Sequence, residues 1–267
     1  MGDHSIQHFD PDAPATYVRG TNNWRRWEFR LNECEPDPDD AEIWRRLAKW
    51  ITPDDATVER AAVYTFRSMV AQRWRKGRVF IAGDAAHQMP PFMGQGMCAG
   101  VRDVANLAWK LSYAVQLGED AILDTYETER KPHVTEFIDL TMRLGRLINQ
   151  TAAGEAQSGR MKSIWPKLGA GLGDRDGVAG GLAPQVRLAD GRLSDDVAKG
   201  GFYAIARCAI SGDFPVFQAP AEWLDETGIY GAVVRPDGYV LTACADRQFL
   251  NETIAELGSF TTVRPPV

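Results

Sequence analysis

The first thirty residues alternate between apolar and polar positions, as the two strands of a hairpin do. Tyr17 and Val18 precede the polar turn GTNN, and Trp27, Phe29 and Leu31 share one face after it. A period of two on both sides of a polar turn is typical of strands that pair through that turn. The pattern therefore predicts a β-hairpin near the start of the chain.

The spacing of the apolar residues then lengthens to three or four. The acidic stretch DPDD is followed by Ile43, Leu47 and Trp50, and acidic residues favour the first turn of a helix. This pattern predicts a helix over 39–50. The next stretch, ATVERAAVYTF over 56–66, returns to a strand pattern.

The centre of the chain combines a strand with two long helices. RVFIAGD, 78–84, is a short apolar run that predicts a buried strand ending at Gly83 and Asp84. A helix is predicted over 96–117 and a second over 120–149, in which Pro132 predicts a kink or a restart. The two helices are expected to pack together. Residues of the first helix that repeat every three or four positions give it one apolar face: Met97, Val101, Val104, Ala108, Leu111 and Val115.

The second half of the chain changes in composition and then resumes a strand-and-helix pattern. Glycine, alanine and polar residues dominate 151–196, which predicts a connecting segment. Three strands and two short helices are predicted beyond it, and they imply a small α/β domain over 197–267. The expected organisation is therefore a first domain over 1–150, the connection, and this second domain.

Composition and charge narrow the functional classes. The 267 residues carry a net charge of −6, and 44% are hydrophobic, which fits an ordinary globular protein. An acidic chain lacks the excess of positive charge that proteins use to bind nucleic acid or an anionic membrane. The four cysteines form no C-x-x-C pair, so no metal site is predicted. Without a leader or a long apolar run, we expect a cytoplasmic protein.

The chemistry is concentrated in GRVFIAGDAAHQMPPFMGQGMCAG, 77–100. Gly83 lets the backbone pass close to a ligand, and Asp84, at the end of a strand, is suited to accept hydrogen bonds from sugar or sugar-alcohol hydroxyls. Gly94 and Gly96 precede the long helix, whose free N–H groups and positive dipole end suit an anionic ring. The alternative for Asp84 is a turn or N-cap residue, because Gly-Asp pairs are common in turns.

The residues 78–111 closely resemble the GD motif and the following helix of the single-component flavoprotein aromatic hydroxylases. The part MPPFMGQGMCAGVRDVANLAWKL is most similar to the 3-(3-hydroxyphenyl)propionate hydroxylase group, and DTYETERKPHV and VVRPDGYV also match. The resemblance covers nearly the whole chain. It implies an α/β (α+β) fold: the C-terminal part of an FAD-hydroxylase fold, followed by a thioredoxin-like domain without C-x-x-C.

The resemblance also implies a cofactor, a reaction and a set of binding residues. The family uses FAD and NAD(P)H to hydroxylate a small phenolic substrate with O2, through a flavin C4a-hydroperoxide, and no protein residue is predicted as catalytic. It implies that Asp84 binds the ribityl chain and that the segment from Pro90 to Met97 lies along the isoalloxazine. The candidate cofactor-binding residues are Gly83, Asp84, Pro90, Pro91, Gly94, Gln95, Gly96 and Met97.

One expected element of such a site is missing from the sequence. The family begins with a strand and G-x-G-x-x-G that hold the FAD pyrophosphate on a helix N-terminus, and neither occurs here. The glycine cluster LGAGLGDRDG, 168–177, opens no periodic helix, so a loop is predicted there. We therefore expect an N-terminally truncated chain, with a complementing N-terminal half or a homo-oligomer as possible partners.

Two classes of function remain open on the sequence alone. The first is an FAD-dependent aromatic-ring monooxygenase, for which the block 78–111 is the distinguishing feature. The second is a non-catalytic fragment or interaction module that cannot bind FAD alone, which the missing phosphate loop favours. A flavoprotein of another reaction type, such as a halogenase or a reductase, fits less well because the match continues in detail after Asp84.

Overall fold

The computed structural model describes residues 3–10, 14–32, 34–152, 165–173, 177–209 and 214–261. The chain divides into two compact units. The first comprises 1–66 and 142–161, and the second comprises 67–141 and 162–267. This division differs from the ranges expected from the sequence, because the first central helix and most of the second fall in one unit with the C-terminal sheet. The assignment of 1–150 and 197–267 to separate domains stays a prediction.

The first unit contains the predicted hairpin. The strands β1 (Ile6–His8), β2 (Ala15–Arg19) and β3 (Arg25–Phe29) form an antiparallel sheet in that order. Tyr17 is fully buried, and its ring centroid lies 5.2 Å from that of Trp27, its cross-strand partner. Aromatic pairs across neighbouring strands stabilise a sheet and fix its register. The hairpin prediction is therefore confirmed.

The first unit also contains the short helix α1 (Asp40–Leu47). Asp39 is its N-cap, and the Asp39 carboxylate accepts a hydrogen bond from the N–H of Glu42 at 2.9 Å, as capping aspartates do. The helix prediction is confirmed, with an end three residues earlier than expected. The strand predicted over 56–66 is wrong, since this segment is irregular and has no strand partner among the described residues.

The second unit begins with two small antiparallel sheets of two strands each. The strands β4 (Met69–Val70) and β7 (His87–Gln88) pair with each other, as do β5 (Arg75–Lys76) and β6 (Val79–Phe80). The sequence predicted a buried strand over 78–84, and this prediction is wrong: only two of its residues are in a strand, and Val79 is 67% exposed. Within the described residues β6 is paired on one edge alone, so it lacks the second neighbour that a central strand has.

Two long helices follow, as predicted. These are α2 (Gln95–Leu117) and α3 (Thr125–Ala152), and α3 continues through Pro132. The helices pack together around a core that includes Leu107, Tyr126 and Val134. However, α2 does not bury the apolar face that its periodicity predicted. Four of the six residues of that face are large and strongly exposed: Met97, Val101, Val104 and Val115.

The C-terminal part of the second unit is a four-stranded mixed sheet with short helices. Its elements are α4 (Ser194–Ala198), β8 (Tyr203–Ala206), β9 (Val216–Gln218), α5 (Ala221–Thr227), β10 (Gly231–Val234), β11 (Val240–Cys244) and α6 (Arg247–Thr261). The strand order is β11-β10-β8-β9, and only β8 and β9 are parallel. The sequence predicted this alternation but missed β9, a strand of three residues.

Both faces of this sheet are covered, and α2 contributes to one of them. Trp109 and Tyr113 of α2 pack in T-shaped geometry on Phe202, with ring centroids 5.6 and 5.9 Å apart. They belong to the same core as Ala204 and Val233 of the sheet. This shared core explains why α2 and the C-terminal sheet belong to one compact unit. No helix in the described part of the chain is long and apolar enough to cross a membrane.

Candidate cofactor site

The predicted cofactor segment begins with a tight turn shortly after β6. Gly83–Ala85 form a single turn of 3-10 helix, and Gly83 has a φ of +57°, which side-chain-bearing residues rarely adopt. The N–H of Ala86 closes the turn on the carbonyl oxygen of Gly83 at 2.8 Å. Asp84 is exposed, and its carboxylate has no hydrogen-bond partner within the described residues. The turn therefore leaves one carboxylate available to a ligand.

This turn lies directly against the first part of α2. A Cβ atom built on Gly100 would lie 3.2 Å from the Cα atom of Gly83, and one on Gly96 would lie 3.9 Å from the Met89 side chain. Two backbones can approach this closely only where a side chain is missing. Gly83 and Gly100 therefore fix the position of the turn relative to the helix.

The buried carboxylate of Asp103 holds the turn through a hydrogen bond to its backbone. Oδ2 of Asp103, on α2, accepts a hydrogen bond from the N–H of Gly83 at 3.0 Å and lies 2.7 Å from Nε2 of His87. Oδ1 of Asp103 accepts from Nε of Arg130, on α3, at 2.9 Å. Asp103 and Arg130 are fully buried, and His87 is almost so. Nε2 of His87 is therefore within hydrogen-bonding distance of the carboxylate that also holds the Gly83 N–H.

The N-terminus of α2 has no side-chain cap. Pro91–Met93 form a 3-10 turn, and Gly94 follows it as the N-cap in the left-handed conformation, with φ of +61°. No side chain of the cap or acidic residue of the first turn neutralises the free N–H groups of this helix. A helix of 23 residues thus keeps the positive end of its dipole available for an anionic group.

The eight predicted site residues line the turn and the start of α2. Gln95 is held by Arg102, whose Nη1 donates to Gln95 Oε1 at 3.1 Å. Their exposure differs: Asp84, Pro91, Gly94 and Met97 are exposed, Gly83, Gln95 and Gly96 are half-buried, and Pro90 is buried. Binding of a cofactor by these residues stays a prediction.

The sequence reasoning missed the residues that hold the site. Asp103, Gly100, His87 and Arg130 all lie inside the segments that resemble the hydroxylases. One signal was available in the sequence, because Asp103 is an acidic residue within a mostly apolar helix. A charged residue is rarely buried without a partner, so a buried Asp103 would be expected to pair with a positive side chain. Its partner Arg130 is 27 residues away in the sequence, so the pairing itself could not be predicted.

A second buried network connects α2 and α3 to the C-terminal sheet. The Glu129 carboxylate accepts hydrogen bonds from Arg235 at 3.0 and 2.7 Å, from Lys110 Nζ at 2.7 Å and from Asn106 at 2.9 Å. Arg235 also donates to Oδ2 of Asp237 at 2.7 Å. Two acidic and two basic side chains thus balance each other in the interior, as buried charges require.

The protonation of this network follows from burial and pairing together. Burial alone would raise the pKa of Glu129, but Arg235 and Lys110 outweigh it and lower the pKa of Glu129 to about 2. Burial lowers the pKa of Lys110 to about 8, against the attraction of Glu129. Glu129, Lys110 and Arg235 are therefore charged at neutral pH.

His133 of α3 is buried beside the same sheet. Its Nε2 lies 3.2 Å from the Tyr239 hydroxyl. Burial, followed by the positive charges of Arg130 and Arg102, lowers the pKa of His133 to about 2. His133 is therefore neutral at physiological pH and adds no charge behind the candidate site.

The residues of the Gly83–Ala85 turn and of the start of α2 suit the half of FAD that contains the ribityl chain and the flavin ring. An exposed carboxylate on a rigid turn suits the hydroxyls of a ribityl chain, and an uncapped helix N-terminus suits the electron-rich edge of a flavin. The glycine cluster does not provide the other half in its described part. Cβ atoms on Gly169, Gly171 and Gly173 would collide with Thr128, Glu129 and Leu241. These glycines therefore serve close packing, consistent with the loop predicted there.

Comparison with known proteins assigns this region to a family. Residues 14–141 match the sequence model of a family described as FAD binding domain. The chain is therefore similar to FAD-binding domains over these residues.

Two curated relatives show the degree of similarity. A probable NADH-specific resorcinol 4-hydroxylase from Rhodococcus jostii (strain RHA1) is 33% identical over 306 residues, covering 93% of this chain and 56% of the relative. A 3-(3-hydroxy-phenyl)propionate/3-hydroxycinnamic acid hydroxylase from Mycobacterium sp. (strain JLS) is 44% identical over 147 residues, covering 53% of this chain and 26% of the relative. The chain thus spans about half, or less, of the relatives that it matches.

Solved structures show the same fold. The flavin-dependent monooxygenase PieE, in complex with FAD and substrate, superposes with a TM-score of 0.67 and 22% identity, covering 96% of this chain and 60% of PieE. Aklavinone-11 hydroxylase, in a ternary complex with FAD and aklavinone, gives a TM-score of 0.63 and 22% identity, with 94% and 57% covered. The mixed helix-and-sheet structure therefore has the fold of the corresponding part of these two proteins.

Proposed function

We propose that this chain is part of an FAD- and NAD(P)H-dependent monooxygenase that hydroxylates a small phenolic compound with O2. The observation that carries the proposal is the exposed Asp84 carboxylate, on a turn that buried Asp103 holds against the uncapped start of α2. This arrangement offers a hydroxyl-binding group and a positive helix end side by side. The first suits the hydroxyls of a ribityl chain, and the second suits negative charge on a flavin ring.

Each predicted site residue has a role in this proposal. Asp84 accepts hydrogen bonds from the ribityl chain, and Gly83 allows the turn to approach it. The segment from Pro90 to Met97 lies along the isoalloxazine, where the free N–H groups of α2 favour negative charge on the ring. FAD itself supplies the redox chemistry with O2, and the protein binds and orients it and excludes water.

The relatives support a phenol as the substrate. One is named for resorcinol and the other for 3-(3-hydroxy-phenyl)propionate and 3-hydroxycinnamic acid, and each of these compounds has a hydroxyl on a benzene ring. We propose 3-(3-hydroxyphenyl)propionate or a similar 3-hydroxyphenyl compound. The electrons come from NADH or NADPH, and one oxygen atom of O2 enters the ring while the other becomes water.

The proposal includes two features of the whole protein. The pyrophosphate and adenosine of FAD are bound by a complementing N-terminal half, and the enzyme works in the cytoplasm. The C-terminal sheet is proposed to be a thioredoxin-like domain with a structural role, without dithiol chemistry. The alternative, a non-catalytic interaction module that cannot bind FAD alone, is less well supported, because the relatives are named as hydroxylases.

Flavin titration separates the two functions. FAD is added to the purified chain, and to the chain fused behind the part of the Rhodococcus relative that lies outside the match. The visible flavin spectrum and NADH oxidation are followed with and without 3-(3-hydroxyphenyl)propionate or resorcinol. We expect the fused protein to retain FAD and to form a hydroxylated product, detected by mass spectrometry. A fused protein that folds but neither binds FAD nor forms product would favour the interaction module.

A further inference from the structure

A buried arginine between α2 and α3 has a hydrogen-bond donor that the described residues do not satisfy. Arg130 is 0% exposed, and its guanidinium donates through Nε to Oδ1 of Asp103 at 2.9 Å and through Nη2 to the Ala99 carbonyl oxygen at 3.4 Å. The remaining nitrogen, Nη1, is buried and has no partner among the described residues. An unsatisfied buried donor costs free energy, so a ligand is expected at this nitrogen.

His133 lies one turn further along α3, on the same side of the helix as Arg130. Its Nε2 contacts the Tyr239 hydroxyl at 3.2 Å, whereas its buried Nδ1 has no partner in the described part of the chain. Burial raises the pKa of Tyr239, and the positive charges of Arg130 and Arg102 oppose this rise. The same two charges, after burial, lower the pKa of His133. The four side chains therefore share one small region.

Arg102 of α2 brings a second guanidinium to this region. Its Cζ lies 5.3 Å from the ring centroid of Phe137, which in turn lies 5.2 Å from the ring centroid of His133. Arg102 donates to Oε1 of Gln95 at 3.1 Å but forms no ion pair with a carboxylate of the described residues. The other guanidinium already has its carboxylate. Arg102 therefore adds a positive charge that is not balanced locally.

We propose that Nη1 of Arg130 and Nδ1 of His133, with the guanidinium of Arg102 beside them, bind a small monovalent anion of the halide class. A halide accepts hydrogen bonds from several N–H groups without a preferred direction, and its charge offsets that of Arg102. Both nitrogens are buried, which favours a monoatomic ion over sulfate or phosphate. None of the three side chains is a candidate cofactor residue, so this site is separate from the one proposed for FAD.

The proton on His133 distinguishes the anion from a bridging water molecule. The anion requires the proton on Nδ1, so that Nε2 accepts a hydrogen bond from the Tyr239 hydroxyl. A bridging water molecule accepts from Nη1 of Arg130 and donates to an unprotonated Nδ1, which places the proton on Nε2. The two occupants therefore predict different tautomers, and the positive charge of Arg102 favours the anion.

NMR of the purified chain measures the binding. Chloride replaces gluconate at constant ionic strength while the ring nitrogen signals of His133 are recorded. We expect these signals to show the proton on Nδ1 and to shift along a saturable curve that gives the Kd. Arg102→Met should raise this Kd about 10- to 100-fold, since it removes a charged partner, and Arg102→Lys should raise it less. Arg143→Met, at an exposed position of α3, is the control and should leave the Kd unchanged.

Bromide locates the site in a crystal of the same chain. We expect an anomalous peak within hydrogen-bonding distance of Nη1 of Arg130 and Nδ1 of His133. Peaks found on the exposed surface alone mean an adventitious ion only, and they overturn the proposal. If Arg102→Met does not fold, as judged by circular dichroism, the position of bromide and the tautomer of His133 in the parent decide the question.

The remaining outcomes also overturn the proposal. A proton on Nε2 of His133, or ring signals that do not respond to chloride, shows that the region does not bind the anion. An equal effect of Arg102→Met and Arg143→Met on the Kd shows a response to overall charge and not to a site. None of these measurements requires FAD, so their result is independent of the proposed function.

Discussion

Asp103 accepts a hydrogen bond from the backbone N–H of Gly83 at 3.0 Å, and this contact connects α2 to the turn that carries Asp84. The same carboxylate is paired with Arg130 and His87, so it cannot move without breaking other buried contacts. Asp103 is therefore a positioning residue. It is expected to act on a ligand through the turn, without touching the ligand itself.

Replacing Asp103 with alanine should strongly destabilise the second unit. The substitution leaves the Arg130 guanidinium buried without its carboxylate, and breaking such a pair costs about 3–5 kcal/mol. Urea unfolding followed by circular dichroism measures the loss. Asp139→Ala, at an exposed position of the same α3 helix that carries Arg130, is the control and should stay within about 0.5 kcal/mol of the parent.

A conservative variant tests the positioning role of Asp103 separately from its effect on stability. Asp103→Asn keeps the shape and one acceptor oxygen but loses the charge that binds Arg130. We expect faster hydrogen exchange at the Gly83 amide, measured by NMR, in a protein that remains folded. Unchanged protection of that amide would show that Asp103 does not fix the turn.

Asp84 is expected to affect the ligand and not the fold. Its carboxylate is exposed and has no partner within the described residues, so Asp84→Asn should change the free energy of unfolding by less than about 0.5 kcal/mol. Hydrogen bonds to a charged group contribute about 1.5–3 kcal/mol, so the Kd for FAD of the fused protein should rise about 10- to 100-fold.

The control for Asp84 is Asp54→Asn, a change of the same charge at an exposed position of the first unit. It should leave the Kd unchanged. If Asp84→Asn instead lowers stability and does not alter the Kd, Asp84 is a turn residue and not a ligand of the flavin.

Local patterns predicted the helices better than the strands. Asp39 and the periodic residues behind it place α1, and the glycines at 94 and 118 bound α2. These features depend on neighbours in the sequence, so one sequence suffices to find them. The strand predicted over 56–66 failed because a strand requires a partner, and the pattern of one segment does not show whether a partner exists.

The same limit explains the two surprises in the candidate site. The periodicity of α2 correctly identifies an apolar face, but it does not show that the face remains uncovered by the described residues. The contacts of Glu129 with Lys110 and Arg235 join residues that are 19 and 106 positions apart. Such pairings depend on the whole fold. Gly83, Asp84, Gly94 and Gly96 could be proposed from the chemistry of the turn and the helix start, whereas the other candidate residues required the resemblance to the hydroxylases.

The buried Glu129 should make the protein sensitive to acid. Its pKa is lowered to about 2 from 4.5, so the stability that it contributes is complete above pH 4.5 and is lost as the pH falls from 4.5 towards 2. A difference of this size corresponds to about 3 kcal/mol. Unfolding by urea at intervals of pH should show this loss in the parent, and Glu129→Gln should reduce it.

Glu129→Gln will also destabilise the protein at neutral pH, because Arg235 and Lys110 lose a charged partner. The shape of the pH profile is therefore the informative quantity, and not the stability at one pH. Glu136→Gln, at an exposed position of α3, should reproduce the profile of the parent. If Glu129→Gln and the parent lose stability in parallel below pH 4.5, the proposed pairing of Glu129 is wrong.

His133 should make the free energy of unfolding depend on pH in a higher range than Glu129 does. Its pKa falls from 6.5 to about 2 because of burial and the charges of Arg130 and Arg102. Below pH 6.5 the unfolded chain takes up a proton that the folded chain does not, so stability falls as the pH decreases. The slope is about 1.4 kcal/mol for each pH unit. As the pH falls from 6.5 to 4.5, the loss of stability due to His133 therefore occurs before Glu129 begins to lose its own contribution.

His133→Gln should remove this loss between pH 6.5 and 4.5 while keeping a polar group opposite the Tyr239 hydroxyl. Urea midpoints across this range measure the change, and His4→Gln, at an exposed position, serves as the control with the parent slope. NMR of the His133 ring gives a second readout, since its signals should not shift down to about pH 4. A ring that titrates near its ordinary pKa would show that His133 accepts a proton in the folded protein. Such a proton would add a positive charge close to Arg130, and it would contradict the neutral state inferred for His133.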